Sequence, residues 1–144
     1  MTTTTHGPAP DFDLATPLHT PEDVLRRIDL LVDRDARQLY SAWLLFVTAA
    51  GLQLPVVVPV DVPVRPDPHT ISSLSWLVSE ALRQTVPGGS AVVVLTRPGD
   101  IAPTDADRAW ATKLHRSARE RSACLRMICL ATPAGTCRLT GDAM

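Results

Sequence analysis

Three helix-start signals recur along the chain, and they constrain its fold more than any other feature of the sequence. Thr20-Pro21, Asp67-Pro68 and Thr104-Asp105 each place a capping residue directly before a residue that suits the first helical turn. Apolar residues then follow at helical spacing, which is typical of a helix with one buried face. The pattern predicts helices that begin at residues 21, 68 and 105, the last extending to residue 121.

Apolar runs of strand length alternate with these helices. They cover residues 42–48, 52–60, 91–95, 124–131 and 137–139. Because proline has no backbone N–H to donate to a sheet, Pro55 and Pro59 place the second run at a sheet edge or at a bulge. The order of helices and strands predicts a single-domain α/β fold, with a mixed β-sheet and flanking helices.

The remaining composition sets the domain organisation and the expected compartment. At 144 residues the chain has the size of one domain. Thr and Pro dominate residues 1–19, so we expect a disordered tail there, a domain at residues 20–140 and a short tail at residues 141–144. No apolar run approaches the roughly 20 residues that span a bilayer. Without a signal-peptide pattern, and with three cysteines, the sequence favours a cytoplasmic protein with no membrane association.

The loop at residues 95–107 follows a predicted buried strand and opens the third helix, a place where many α/β folds hold their sites. It resembles the metal-binding motif of the RadC branch of the JAB (MPN, or JAMM) family, which runs His-x-His-Pro-Ser-Gly-Asp, a spacer, then Pro-Ser-x-x-Asp. Gly99-Asp100 matches the Gly-Asp pair after one deletion, and residues 103–107 match the second part. The resemblance spans about residues 52–140. It implies a JAB/MPN-like fold, with a cytidine-deaminase-like fold as the related alternative.

The residues that would hold zinc in this family are missing. Leu95 and Arg97 stand in place of the two histidines, so only Asp107 remains of the expected ligands, and one carboxylate does not hold zinc. The family also has a catalytic glutamate on an early strand, and residues 42–60 contain none. The resemblance therefore implies a pseudoenzyme without catalytic residues, metal or cofactor. We expect a scaffold that acts through protein–protein contacts, as a regulatory subunit or a homodimer.

Two other functions stay open at this point. Arg97, Asp100, Thr104 and Asp107 are candidate binding residues of a remnant cleft that would hold a small anion or a peptide. These residues could equally have a structural role, in which they shape the loop and cap the helix.

The third possibility is weak nucleic-acid binding through the basic helix at residues 105–121. The charge of the chain is uneven, with five arginines against ten acids (−5) in residues 1–82 and nine basic residues against five acids (+4) in residues 83–144. A pI near 6.4 and the lack of evident stacking aromatics argue against a dedicated nucleic-acid binder.

Overall fold

The computed structural model describes residues 16–139, and the helices and strands lie where the sequence predicts them. The helices are α1 (Pro21–Leu31), α2 (Pro68–Gln84) and α3 (Asp105–Glu120), with a short 3₁₀ helix at Ala36–Gln38. The strands are β1 (Ser41–Val47), β2 (Gln53–Asp61), β3 (Ser90–Thr96), β4 (Leu125–Thr132) and β5 (Gly135–Leu139). Of the described helices, none has both the length and the apolar composition that crossing a bilayer requires.

Side chains cap all three α-helices, as the sequence predicts. Thr20 and Asp23 form a capping box at α1, and Thr104 and Asp107 form another at α3. At α2 the carboxylate of Asp67 accepts from the backbone N–H of Thr70 at 2.7 Å. These side chains satisfy helix N–H groups that have no partner within the helix, and they therefore fix where each helix begins.

The five strands form one mixed sheet in the order β2-β1-β3-β4-β5. Neighbouring strands are antiparallel except β3 and β4, which are parallel and are connected through α3. The predicted edge position of the second strand is confirmed, and a register shift interrupts its pairing between Leu45 and Val47. The two prolines of β2 are thereby confined to an edge, where a missing donor is tolerated.

Two hydrophobic cores lie on the two faces of the sheet, so the molecule has three layers. Alternate residues of β1 serve different cores: Leu44 and Phe46 pack with the residues of α2 and α3, whereas Leu45 and Val47 pack with those of α1. Every residue of β3 after Ser90 is buried. The structure is thus a single mixed α/β domain, as the alternation of helices and strands predicts.

The structure differs from the predicted tail at residues 16–19. Leu18 is only 2% exposed and packs into the core on the α1 side, and its backbone N–H donates to the carbonyl of Gly51 at 2.7 Å. The carbonyl of Thr16 accepts from Arg27 at 2.8 Å. The chain is ordered here because one apolar side chain fills a gap in the core. The predicted tails at residues 1–15 and 141–144 lie outside the described residues.

Arg37 joins α1 to the far edge of the sheet, a contact that no local sequence pattern predicts. Its side chain is buried and donates to the carbonyls of Val32, Thr132 and Gly135 at 3.0–3.2 Å. It also forms an ion pair with Asp29 at 3.1 Å. One guanidinium therefore joins the end of α1 to the turn between β4 and β5.

We expect Arg37→Ala to lower the free energy of unfolding by about 3 kcal/mol, because it leaves several buried carbonyls without a donor. Urea denaturation measures this difference directly. The matched control is Arg34→Ala, since Arg34 is exposed and close in sequence, and this variant should stay within about 0.5 kcal/mol of the wild type. Equal stability of the two variants would contradict the assigned role of Arg37.

Candidate functional site

A cavity of about 400 Å³ opens at the carboxyl end of β3. The start of β1, the connection between β2 and α2, and the first turn of α3 surround it. Its lining consists of Tyr40, Ser41, Val62, Pro63, Val64, Arg65, Leu95, Thr96, Arg97, Thr104, Asp105, Ala106, Asp107 and Trp110. A cavity of this size can hold a small molecule or a few residues of a peptide.

A buried ion pair between Arg97 and Asp107 forms one wall of the cavity. Nη2 of Arg97 lies 2.8 Å from Oδ2 of Asp107, and Nε lies 3.0 and 3.1 Å from its two oxygens. The two side chains are only 10% and 7% exposed. The remaining donors of Arg97 point into its own loop, toward the carbonyls of Pro98 at 2.9 Å and Ala102 at 3.1 Å. All three guanidinium nitrogens are thus engaged within the chain.

Asp107 also caps α3, which makes its charge important to the fold. Its carboxylate accepts from the backbone N–H of Thr104 at 2.9 Å while the hydroxyl of Thr104 accepts from the N–H of Asp107. Burial alone raises the pKa of Asp107, but the hydrogen bonds from Arg97 and Thr104 outweigh it and hold this pKa below its ordinary value. The hydrogen bond to Asp107 in turn raises the pKa of Arg97, against the effect of burial. Both groups stay charged at neutral pH.

The hydroxyls of Ser41 and Thr96, two of the four in the cavity lining, are hydrogen-bonded within the chain. Oγ1 of Thr96 donates to the carbonyl of Leu39 at 2.7 Å. Since that uses its single proton, the hydroxyl of Ser41 is the donor in the short hydrogen bond between the two side chains. Nε1 of Trp43 donates to the same Ser41 oxygen at 3.2 Å. Among residues 16–139, neither hydroxyl is hydrogen-bonded to an imidazole or a carboxylate that would activate it as a nucleophile.

Cys129, Cys137 and the partly buried His115 lie outside the lining of this cavity. The thiol of Cys137 contacts the carbonyl of Ile101 at 3.8 Å, and burial raises its pKa. Burial also raises the pKa of Cys129, to about 12. Burial lowers the pKa of His115 on α3, and the charges of Arg119 and Arg138 lower it further. Residues 16–139 contain no group of three or more His, Cys, Asp or Glu side chains that could hold a metal ion.

The structure brings three of the four predicted binding residues together. Arg97, Thr104 and Asp107 line the cavity, whereas Asp100 is exposed outside it, and its carboxylate accepts from the neighbouring N–H of Ile101 at 2.6 Å. Arg97 was expected to attract an anion from outside the chain. Its charge is instead neutralised by the carboxylate of Asp107. The alternative, that these residues shape the loop and cap the helix, describes the observed contacts of Thr104 and Asp107.

Arg65 and Tyr40 are cavity residues that were not predicted from the sequence. Neither belongs to a periodic pattern or a recognisable motif, and they come from connections far apart in sequence. One signal could have indicated Arg65. It lies between two prolines, in the sequence Pro63-Val64-Arg65-Pro66, and prolines restrict the backbone of this short connection before the next helix.

Leu95, Arg97 and Asp107 also line this one cavity. These are the positions at which the RadC-type resemblance places the zinc ligands. Comparison of the chain with models of protein families, with curated proteins and with solved structures gives no match. The family assignment therefore stays a proposal that rests on the motif and on this geometry.

The ion pair predicts a specific pH dependence of stability. The pKa of Asp107 is lower in the folded chain than in the unfolded chain, so its contribution is complete at neutral pH and is lost as the pH falls below about 4. We expect Asp107→Asn to be less stable than the wild type by about 3 kcal/mol at pH 7, because Arg97 is left buried without a counter-ion. This gap should shrink between pH 4 and pH 2, as measured by urea denaturation at each pH.

Asp105→Asn is the control for this experiment. Asp105 lies two residues away in the same helical turn, but its side chain is 97% exposed. This variant should follow the wild type at every pH. A gap between wild type and Asp107→Asn that stays constant down to pH 2 would contradict the role assigned to the Asp107 carboxylate.

Proposed function

We propose that this chain is a non-catalytic domain of the RadC-like JAB/MPN type that acts through protein–protein contacts, as a regulatory subunit or a homodimer. The observation that carries the proposal is that Leu95, Arg97 and Asp107 meet at one cavity. In the family motif these positions hold two histidines and a carboxylate. The related cytidine-deaminase-like fold is the alternative assignment, and the mixed five-stranded sheet with helices on both faces is compatible with either.

The ion pair explains why a domain of this type would lack zinc. The guanidinium of Arg97 is a permanent cation, and it is surrounded by the carboxylate of Asp107 and the carbonyls of Pro98 and Ala102. A divalent metal on Asp107 would have to displace this cation and leave it buried without a counter-ion. Arg97 thus fills the charge position of a metal and holds the loop to α3, without an open coordination position for chemistry.

Exposed apolar side chains at the mouth of the cavity support a protein partner. Leu39 is 61% exposed, Val64 is 51% exposed and Tyr40 is 37% exposed. Tyr40 and Val64 line the cavity, and Leu39 adjoins Tyr40 in the chain. We call these three residues the rim. Clustered exposed apolar groups beside a pocket are typical of a surface that another protein covers.

A gain of zinc binding tests the family assignment. If the resemblance is correct, the double variant Leu95→His, Arg97→His restores two imidazoles opposite Asp107, and we expect it to bind one zinc ion per chain. The wild type, purified without a metal-affinity tag, should contain no stoichiometric zinc. Elemental analysis and zinc titration of the folded proteins measure both quantities.

Adding Asp107→Asn to the double variant is the control, and this triple variant should lose the zinc. A wild-type protein with stoichiometric zinc would refute the non-catalytic proposal. A double variant that keeps its fold by circular dichroism but binds no zinc would refute the alignment of residues 95–107 with the family motif.

Sedimentation velocity tests the homodimer form of the proposal. We expect the wild type to self-associate at micromolar concentration, and Leu39→Ser combined with Val64→Ser to shift the chain toward monomer, because both changes remove apolar surface from the rim. Leu30→Ser is the control, since Leu30 is 44% exposed but lies on α1 outside the rim. Wild-type protein that sediments only as a monomer would contradict the homodimer form of the proposal, and a different protein would then be the expected partner.

A further inference from the structure

Arg65 is the cation of the cavity that remains available to a ligand. It is exposed, and within residues 16–139 its side chain takes part in no ion pair or hydrogen bond. The other charges of the lining are engaged: Arg97 binds Asp107, and Asp105 points to solvent and lies 3.5 Å from Arg108. Among the described residues, Arg65 is therefore a positive charge of the lining without an ion pair, whereas Arg97, Asp107 and Asp105 each have an oppositely charged neighbour.

The wall beside Arg65 is apolar and held in place. Nε1 of Trp110 donates to the carbonyl of Val64 at 3.0 Å, which fixes the residue directly before Arg65 against α3. Trp110 is 3% exposed and Leu95 is 4% exposed, and with Val62 they give the cavity a preformed apolar surface. A ligand here would meet both the cation and the apolar wall without reorganising the core.

Tyr40 provides a further donor at the same cavity. Among the described residues its hydroxyl makes no hydrogen bond, and its side chain is 37% exposed. A phenol can donate to a carboxylate, and an arginine can bind the same group with two parallel hydrogen bonds. Both groups present donors, and neither presents an anion.

We propose that this cavity binds a small monoanion, a carboxylate joined to an apolar group, with the carboxylate on Arg65 and Tyr40 and the apolar group against Trp110 and Val62. A single unpaired cation beside an apolar wall suits a monoanion better than a phosphate dianion, which is more strongly hydrated and needs more donors. The inference goes beyond the proposed function, because it needs only Arg65 and the cavity walls. The carboxylate could belong to a free acid or to the C-terminus of a partner protein.

The experiment titrates the full chain, labelled with ¹⁵N, with 3-phenylpropionate and with its neutral amide, 3-phenylpropanamide. The indole N–H of Trp110 reports on the cavity because it lies in the wall. We expect the acid to shift this resonance at a millimolar Kd and the amide to bind at least about tenfold more weakly, which corresponds to about 1.4 kcal/mol. Arg65→Gln should weaken binding of the acid by a similar factor, with an unchanged melting temperature.

Two variants and two further probes complete the design. Arg34→Gln removes an exposed arginine elsewhere and should leave the Kd unchanged, whereas Arg65→Lys keeps the charge and should give an intermediate Kd. The acetylated tripeptide Ala-Ala-Leu with a free carboxylate, compared with its amide, represents a protein C-terminus. Tighter binding of this peptide than of 3-phenylpropionate would assign the site to a protein C-terminus, and the reverse would assign it to a free acid. Inorganic phosphate represents the dianion.

Equal binding of acid and amide would overturn the proposal, and so would a Kd that Arg65→Gln leaves unchanged. Tighter binding of inorganic phosphate, or the absence of any shift with both carboxylates up to about 10 mM, would overturn it as well. These outcomes are independent of the zinc measurements on the Leu95 and Arg97 variants. Failure of this inference is therefore distinguishable from failure of the proposed function.

Discussion

The burial of β3 on both faces of the sheet is the constraint on which the rest of the structure depends. This strand has β1 on one side and β4 on the other, and nearly every one of its side chains is covered. A strand of this kind needs helices on both faces of the sheet, and its parallel pairing with β4 needs a crossover, which α3 provides. The crossover begins where β3 ends, so the first turn of α3 must face the loop at residues 97–104. The position of the cavity follows from that geometry.

The ion pair between Arg97 and Asp107 joins the loop to the start of α3 at this junction. The same carboxylate caps α3 and binds the guanidinium that holds the loop. The start of the helix, the shape of the loop and one wall of the cavity therefore all depend on Asp107. A buried pair of this kind adds little net stability over an apolar pair of the same shape, but removing one partner strongly destabilises the fold. The pair also links Arg97 to a single carboxylate and to two carbonyls of its own loop, Pro98 and Ala102. An enzyme that used Asp107 as a metal ligand could not keep this arrangement.

Local signals in the sequence predicted most of the fold. The caps at Thr20, Asp67 and Thr104 marked the three helices, and the continuous apolar runs marked the strands, because both features depend only on neighbouring residues. The burial of Leu18 could not be predicted, because a single apolar residue among threonines and prolines forms no periodic hydrophobic pattern.

The same limit explains what was missed at the candidate site. The contacts of Arg37 join segments that are distant in sequence, and the proposed role of Arg65 depends on which distant segments line the same cavity. No local pattern encodes either. Arg97 was expected to attract an outside anion because its pairing with Asp107 depends on how the loop folds back. The motif placed Arg97, Thr104 and Asp107 together, but it could not show that two of them neutralise each other.

The prolines of β2 have a consequence for how this molecule can meet others. An exposed edge strand normally offers a row of N–H donors to any extended chain, and this is the usual route by which β-sheets grow from one molecule to the next. Pro55 and Pro59 interrupt that row in β2, and the opposite edge strand, β5, covers five residues within the described part of the chain. Association by strand addition is therefore disfavoured at both ends of the sheet. Recognition is left to side chains on the helices and loops, where it can be selective and reversible.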